Sequence, residues 1–458
     1  MTENHSIIRL LGVICYITVI LYLLNLFWYS PLITITYSML GAVLLVCSLF
    51  FLRSINRYIV VTLILVGIVC FYVEEVSILE AFLGFGENIN LLALFLLVPL
   101  IGTFMSTAGY LTALKQKVQE RERSGGEHPY RLSFFMTSTI GLLLNLGSMA
   151  LVKRIADESF TSFREQKLTL TIMRGFASCM FWSPYFVNVA LVLVLFDLSW
   201  LDIGVYGFIL TIIYFLVCWL MYNRISFPDD PIVHKNTDTE PSRSITTLKP
   251  FYLFIIVLVS LSFLLDYLLH VNMITVVSSL AIILPIFWAL GTKNIVFFIQ
   301  DANKQVLSSF LRLKNELAVF ISAGFFGMAI SYTNVGDFLS TLLFQASFGF
   351  VYILTILLVI IAVLLALIGI HPVIIVIGIG SALSPEKFGV SAEYFALLLL
   401  VAWSTATLLS PFSGQVLMAA QLMKKDPILI VKNNYQFVLL LIVILTTTIY
   451  SFYLFGFL

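Results

Sequence analysis

"FWSPYFVN" (residues 181–188) and "LLSPFSGQ" (residues 408–415) are two Ser-Pro pairs in matching surroundings, each inside an apolar run long enough to be a membrane helix. A proline within a helix removes one backbone hydrogen bond and crowds the carbonyl one turn earlier, so each pair interrupts the helix that carries it. At an offset of 227 positions Ser183 matches Ser410, Pro184 matches Pro411, Tyr185 matches Phe412 and Asn188 matches Gln415. Kinks in packed helices would account for either pair alone, whereas a matched pair points to an internal repeat with a shared purpose. An interrupted helix frees carbonyls, and the Ser183 and Ser410 hydroxyls with the Asn188 and Gln415 amides add further ligands. These residues are candidates for holding a solute.

The surroundings set the class. Of 458 residues, 60% are hydrophobic and 11% charged, and apolar runs of about 20 residues, the length that crosses a bilayer as helix, recur from end to end. A mean hydropathy of +1.05 agrees, and the expectation is an all-α polytopic membrane protein. Residues 6–28 are read as a first span and not as a signal peptide, because the run is long, carries Arg9 near its start and lacks a small-residue cleavage site. The five cysteines, Cys15, Cys47, Cys70, Cys179 and Cys218, lie within apolar runs without metal-ligand spacing and read as small core residues. A net charge of +1 gives no steer toward nucleic acid, and no metal or organic cofactor is expected.

Lys and Arg in the short loops give the topology. Arg53 and Arg57 put the loop after the second run in the cytoplasm, with the N-terminus, whereas Glu74, Glu75, Glu80 and Glu87 mark the next loop as external. The run at 89–114 returns to the charged cytoplasmic segment "LKQKVQERERSGGEHPYR". The following run, "LSFFMTSTIGLLLNLGSMAL", has basic clusters on both sides, Arg131 before it and Lys153, Arg154, Arg164 and Lys167 after it. It is read as a re-entrant hairpin turning at "NLGS" (residues 145–148); an ordinary span that violates the charge rule is the alternative. From 165 to 196 the chain is apolar for over thirty residues, too long for a hydrocarbon core of roughly 30 Å unless it breaks at "WSPY". Residues 200–223 return inward to a polar linker at 224–249.

The second half repeats this plan with opposite orientation. Spans at 250–270 and 272–292, an amphipathic cytoplasmic piece holding Asp301, Lys304, Arg312 and Lys314, and a span at 317–332 precede a long apolar run broken at "GIHP" (residues 369–372). That run is read as a hairpin entering from outside. A broken span at 394–423 and a closing span at 436–455 follow. The domains are an extra helix (1–30), a first inverted repeat (31–223), the linker (224–249) and a second repeat (250–458), with about eleven transmembrane helices and two re-entrant hairpins. Inverted repeats with discontinuous helices are how secondary transporters build a central site.

From about Pro31 onward this plan resembles the ion transporter superfamily, which includes sodium-coupled dicarboxylate carriers and the large membrane subunits of TRAP transporters. The resemblance implies a secondary transporter, a homodimer working as an elevator, in which hairpin tips and broken helices hold substrate and cation. It is one of architecture, since "NLGS" and "GIHP" stand where the dicarboxylate carriers have Ser-Asn-Thr. Carried over by position, it implies substrate contacts at Asn145, Ser148, His371, Pro372 and Ser413 besides the residues of the breaks. It implies cation contacts at Asn145, Gly147, Ser183, Gly369 and Ser410, for a coupling ion such as Na+.

Arg174 in the first broken helix either attracts an anionic solute or, as a structural residue, snorkels or pairs with a carboxylate. His371 either exchanges protons or is a hydrogen-bonded structural residue. Carboxylates are few at mid-depth, so a cation is expected on hydroxyls and carbonyls and not on an acidic relay. The expected function is secondary transport of a small, anionic solute with a cation across the cytoplasmic membrane, in contact with membrane lipid. The alternative is an integral membrane enzyme or lipid-carrier protein of envelope biogenesis, which lacks here the large external loop such enzymes use.

Overall fold

A computed structural model describes residues 2–52, 54–123, 128–234, 247–269 and 271–458. Arg53, residues 124–127 of the charged loop, residues 235–246 of the linker and His270 lie outside the described residues. The protein is an all-α polytopic membrane protein. Among the described residues, ten helices are long and apolar enough to cross a membrane, or eleven if the pair Val335–Ala346 and Val351–Leu367, bent by 115°, is counted as one span.

The long runs became helices much as their hydropathy dictates. Ser6–Phe27, Pro31–Leu49, Asn56–Val73 and Ile78–Thr107 are spans in the first part of the chain, and Trp200–Leu220, Lys249–Leu269 and Met273–Gly291 flank the linker. Helix starts are marked by the expected residues: Ser199 and Asp202 form a capping box at Trp200, Asn272 caps the helix at Met273, and Pro427 occupies the first turn behind Asp426.

Residues 165–196 are interrupted as expected, into Glu165–Ala177, a tight turn at Ser178–Phe181 and Val187–Leu195, each too short to span alone. Two boundaries differ from expectation. The amphipathic piece and the following span are one helix, Ile295–Ser331, of 37 residues; no Gly or Pro occurs before Gly324 to stop it. The closing span begins at Pro427 instead of residue 436, since Lys432 and the two asparagines after it fit within its first turns.

Four short helices occur in two pairs. Pro129–Leu144 and Gly147–Ser159 are joined by Asn145 and Leu146, and Val351–Leu367 and Pro372–Ala382 by residues 368–371. The longest, at 17 residues, is roughly 26 Å at 1.5 Å per residue, short of a hydrocarbon core. Each pair lies against a broken helix: Pro129–Leu144 packs on Glu165–Ala177, and Val351–Leu367 packs on Ala392–Leu409. Across the middle, Val187–Leu195 meets Ala392–Leu409 and Pro372–Ala382, while Gly414–Met423 meets Glu165–Ala177 and Gly147–Ser159. Ala392–Leu409 is apolar on every face and correspondingly buried from Tyr394 to Leu409. At the periphery, Asn56–Val73 and Lys249–Leu269 leave most of their apolar surface exposed, as lipid-facing helices do.

The start of the linker is structured. Ile232–His234 pairs antiparallel with Ser162–Arg164. Asp230 accepts the backbone N–H groups of Gln166 (2.7 Å) and Lys167 (3.1 Å), so the linker supplies the N-terminal cap of the first broken helix. The cysteines carry no disulfide; Cys15, Cys179 and Cys218 are buried, Cys47 and Cys70 half-buried.

Candidate functional site

The interruptions are held open by side chains. At the first, the Ser183 N–H keeps its helical bond to Cys179 (3.1 Å), the Ser183 Oγ accepts from the Tyr185 N–H (3.4 Å), and the Asn188 Nδ2 donates to the orphaned Met180 carbonyl at 2.5 Å. At the second, the Ser410 Oγ donates to the Ala366 carbonyl (2.7 Å) and accepts from the Phe412 N–H (3.3 Å). Ser413 caps Gly414–Met423 by accepting from the Val416 N–H (3.3 Å) and donates to the Thr407 carbonyl (2.6 Å). The Asn188 amide and the Ser413 hydroxyl thus satisfy the Met180 and Thr407 carbonyls that Pro184 and Pro411 leave without a helical donor, while Ser410 ties its break to the neighbouring helix Val351–Leu367. Gln415, the positional mate of Asn188, makes no such bond: it is 2% exposed, and neither its Nε2 nor its Oε1 has a hydrogen-bond partner.

The turns of the two short pairs are built by comparable means. Asn145 sits at φ +50° and ψ −140°, a positive-φ conformation outside the left-handed helical region and strained for a residue with a side chain; its Oδ1 accepts from the Leu146 N–H (2.8 Å), and its carbonyl accepts the Ser148 N–H (3.0 Å) and Oγ (2.7 Å). With Oδ1 engaged, the amide NH2 is the group left to a ligand. Gly369, at φ +101°, turns the other pair where a side chain would be strained. The His371 Nδ1 accepts from the Val373 N–H (3.2 Å), so in the neutral ring Nε2 carries the proton.

These pieces meet at one cavity of about 580 Å³. Its wall includes Asn145, Asn188, Gly369, His371, Pro372, Ser410, Ser413 and Gln415 of the sequence-expected residues. Gly147, Ser148, Arg174 and Ser183 do not line it. Ser148 is buried behind the turn of Asn145, and Ser183 is buried within its break. Four helix N-termini reach the cavity, those of Gly147–Ser159, Val187–Leu195, Pro372–Ala382 and Gly414–Met423, through Leu146, Val187, Pro372 and Gly414. Each brings the positive end of a helix dipole to the cavity, although at Pro372–Ala382 no N–H is left over: Pro372 has none, Val373 bonds the His371 ring, and Ile374 and Ile375 bond the His371 carbonyl.

Arg174 lies elsewhere. Only 3% exposed, it donates from Nε to the Asn434 Oδ1 (3.1 Å), and its guanidinium carbon stands 3.9 Å from the centre of the Phe437 ring. It does not snorkel and meets no carboxylate among the described residues; an amide and an aromatic face hold it, with one terminal nitrogen left without a hydrogen-bond partner. Asn434 in turn donates to the Leu408 carbonyl (3.1 Å), so the arginine ties the first broken helix to the second.

Several wall residues escaped the sequence reading. Lys314, Asn315 and Glu316 come from the middle of Ile295–Ser331, Asn56 from the start of a neighbouring span, and Phe176 and Trp403 add aromatic surface to that of Phe186 and Phe412, which lie within the expected breaks. The available signal was the polar interruption "KNE" between Leu313 and Leu317 within an otherwise continuous helical pattern. Compared with known proteins, the chain matches no family model and no curated sequence.

Proposed function

We propose that this protein is a secondary active transporter that carries a small anionic solute across the cytoplasmic membrane, coupled to a cation such as Na+. The observation that carries the reading is the approach of four helix N-termini to one cavity of about 580 Å³ beside Lys314. Four positive helix ends in a low-dielectric surrounding favour negative charge through their dipoles. The volume lies within the range of small-molecule sites.

The finer architecture belongs to the same proposal. The helices starting at Glu165, Val187 and Trp200 have counterparts 227 positions later, at Ala392, Gly414 and Pro427, which supports two repeats. Opposite loop charges give them inverted orientation, with the N-terminus cytoplasmic. The short helix pairs are read as re-entrant hairpins, because neither arm of either pair is long enough to span and each pair packs against a broken helix. This arrangement resembles the ion transporter superfamily, in which hairpins and broken helices move as one body against a dimeric scaffold. The cation would sit among the carbonyls and hydroxyls around Asn145, Gly369 and Ser410.

A thermal-shift screen of the purified protein against organic anions, amino acids and envelope lipid precursors, with sodium or potassium, tests the reading. Stabilisation by small organic anions is expected. Stabilisation by lipid-linked precursors alone would favour the alternative, a protein of envelope biogenesis.

A further inference from the structure

The cavity has a second pole that the anion reading does not use. Glu316 lines it from the helix Ile295–Ser331, with Oε2 shielded from solvent and without a hydrogen-bond partner. Lys314, two positions away, and Arg312, one turn back, lie near enough for their charge to act on the carboxylate, but neither is within ion-pair distance of it. No ion pair involves Glu316 among the described residues. Gln415, on the same wall, is 2% exposed with both amide atoms unpartnered. Buried polar groups are ordinarily paired, and a carboxylate in an apolar setting is the costliest to leave alone. The same wall carries aromatic surface, from Phe176, Phe186, Trp403 and Phe412.

We infer that the solute is a zwitterion: besides its anionic group at the helix N-termini it carries an amine, which donates to Glu316, and an apolar body that lies on the aromatic wall. Gln415, able to donate and accept at once, meets a polar group of the same solute. The inference rests on the transport reading above and adds its substrate class. A solute bearing only negative charge would leave Glu316 unanswered and repel it; a neutral one would leave the four helix ends unused.

Two matched trios of probes test this on the purified full-length protein: L-phenylalanine, 3-phenylpropionate and phenethylamine, and 4-(aminomethyl)benzoate, 4-methylbenzoate and 4-methylbenzylamine. Titration by thermal shift is expected to show, in at least one trio, the zwitterion binding about tenfold or more tightly than its anion-only relative. Glu316→Gln should bring that zwitterion and its anion to equal affinity. Should that variant not fold, the wild-type comparison decides by itself. Equal binding of zwitterion and anion by the wild type in both trios would overturn the inference and leave the anion reading standing. Binding of the amines with inert anions would keep Glu316 as an amine site and overturn the anion reading. Stabilisation by NaCl over KCl that vanishes in Glu316→Gln, without a zwitterion preference, would make Glu316 a cation site and overturn the inference. Failure of every probe to bind would count against it as well.

Discussion

Asn188 and Gln415 occupy matching positions yet should respond to the same perturbation with opposite sign. Asn188→Leu removes the hydrogen bond to the Met180 carbonyl and leaves that carbonyl unpaired in a site where Asn188 itself is 2% exposed. The cost of a buried unsatisfied acceptor is about 1–3 kcal/mol. Gln415→Met, close in shape, breaks no bond, because both polar atoms of Gln415 are already unpartnered; removing them relieves a desolvation penalty and should stabilise the unliganded protein by about 1–3 kcal/mol. For a chain of this size each kcal/mol corresponds to a melting shift on the order of 1–2 °C. The two variants should therefore move apart by several degrees when melted in one detergent and followed by tryptophan fluorescence. Gln415→Met should also lose solute-induced stabilisation. Equal destabilisation by both substitutions would refute the reasoning, because it would mean that Gln415 holds its break as Asn188 does.

Arg174→Lys and Arg174→Gln should both lower the melting temperature, since neither reproduces the planar contact with Phe437 together with the bond to Asn434, while probe affinity stays within about threefold; a much larger loss of affinity at unchanged stability would put the guanidinium in the binding site. A single cysteine at Arg154, on an exposed side chain at the charged end of Gly147–Ser159, should be labelled only from the cytoplasm in a background without native cysteines, and external labelling would remove the first hairpin. At Gly207 an added Cβ would strike the carbonyl of Phe181 beside the first break, so Gly207→Ala should destabilise by about 1–3 kcal/mol; a neutral result would mean that this helix can move away. Hydrogen bonds from Lys115 and Arg154 hold the Glu158 carboxyl below the ordinary carboxylate range. Its contribution is in place above that range and is lost as pH falls through the lowered value, so Glu158→Gln should flatten the melting profile below about pH 4.5, and an unaltered profile would show that the pair contributes nothing.

Hydropathy made the spans legible because bilayer thickness fixes their length, and Pro184 and Pro411 made the interruptions legible because proline cannot complete the helical ladder. The turn at Asn145 was readable from its Asn-Leu-Gly-Ser composition, and that at Gly369 from its Gly and Pro. The roles of the serines were not. A hydroxyl next to a break can serve a ligand or a backbone carbonyl, and only the arrival of Ala366 beside Ser410 and of Thr407 beside Ser413 decides between them. The divergence of Asn188 from Gln415, by contrast, is local: Ser413 stands where the first break has Phe186 and takes the Thr407 carbonyl, the counterpart of the Met180 carbonyl that Asn188 holds. Arg174 found Asn434, 260 positions away, a partner that no local pattern announces. Glu316 was passed over because it fell between the amphipathic cytoplasmic piece and the span at 317–332, although the absence of any Gly or Pro between Ile295 and Gly324 already argued for one unbroken helix.

If the four helix ends form a solute site that alternates between the two faces of the membrane, its wall must be reachable from both. Single cysteines at Leu146 and Ile370, which line the cavity from the two short-helix turns, can be probed with a membrane-impermeant maleimide in intact cells and in inside-out vesicles. Both positions should react from both sides, and a bound solute should slow them together. Reaction from one side only, at both positions and in every condition, would contradict transport by this cavity.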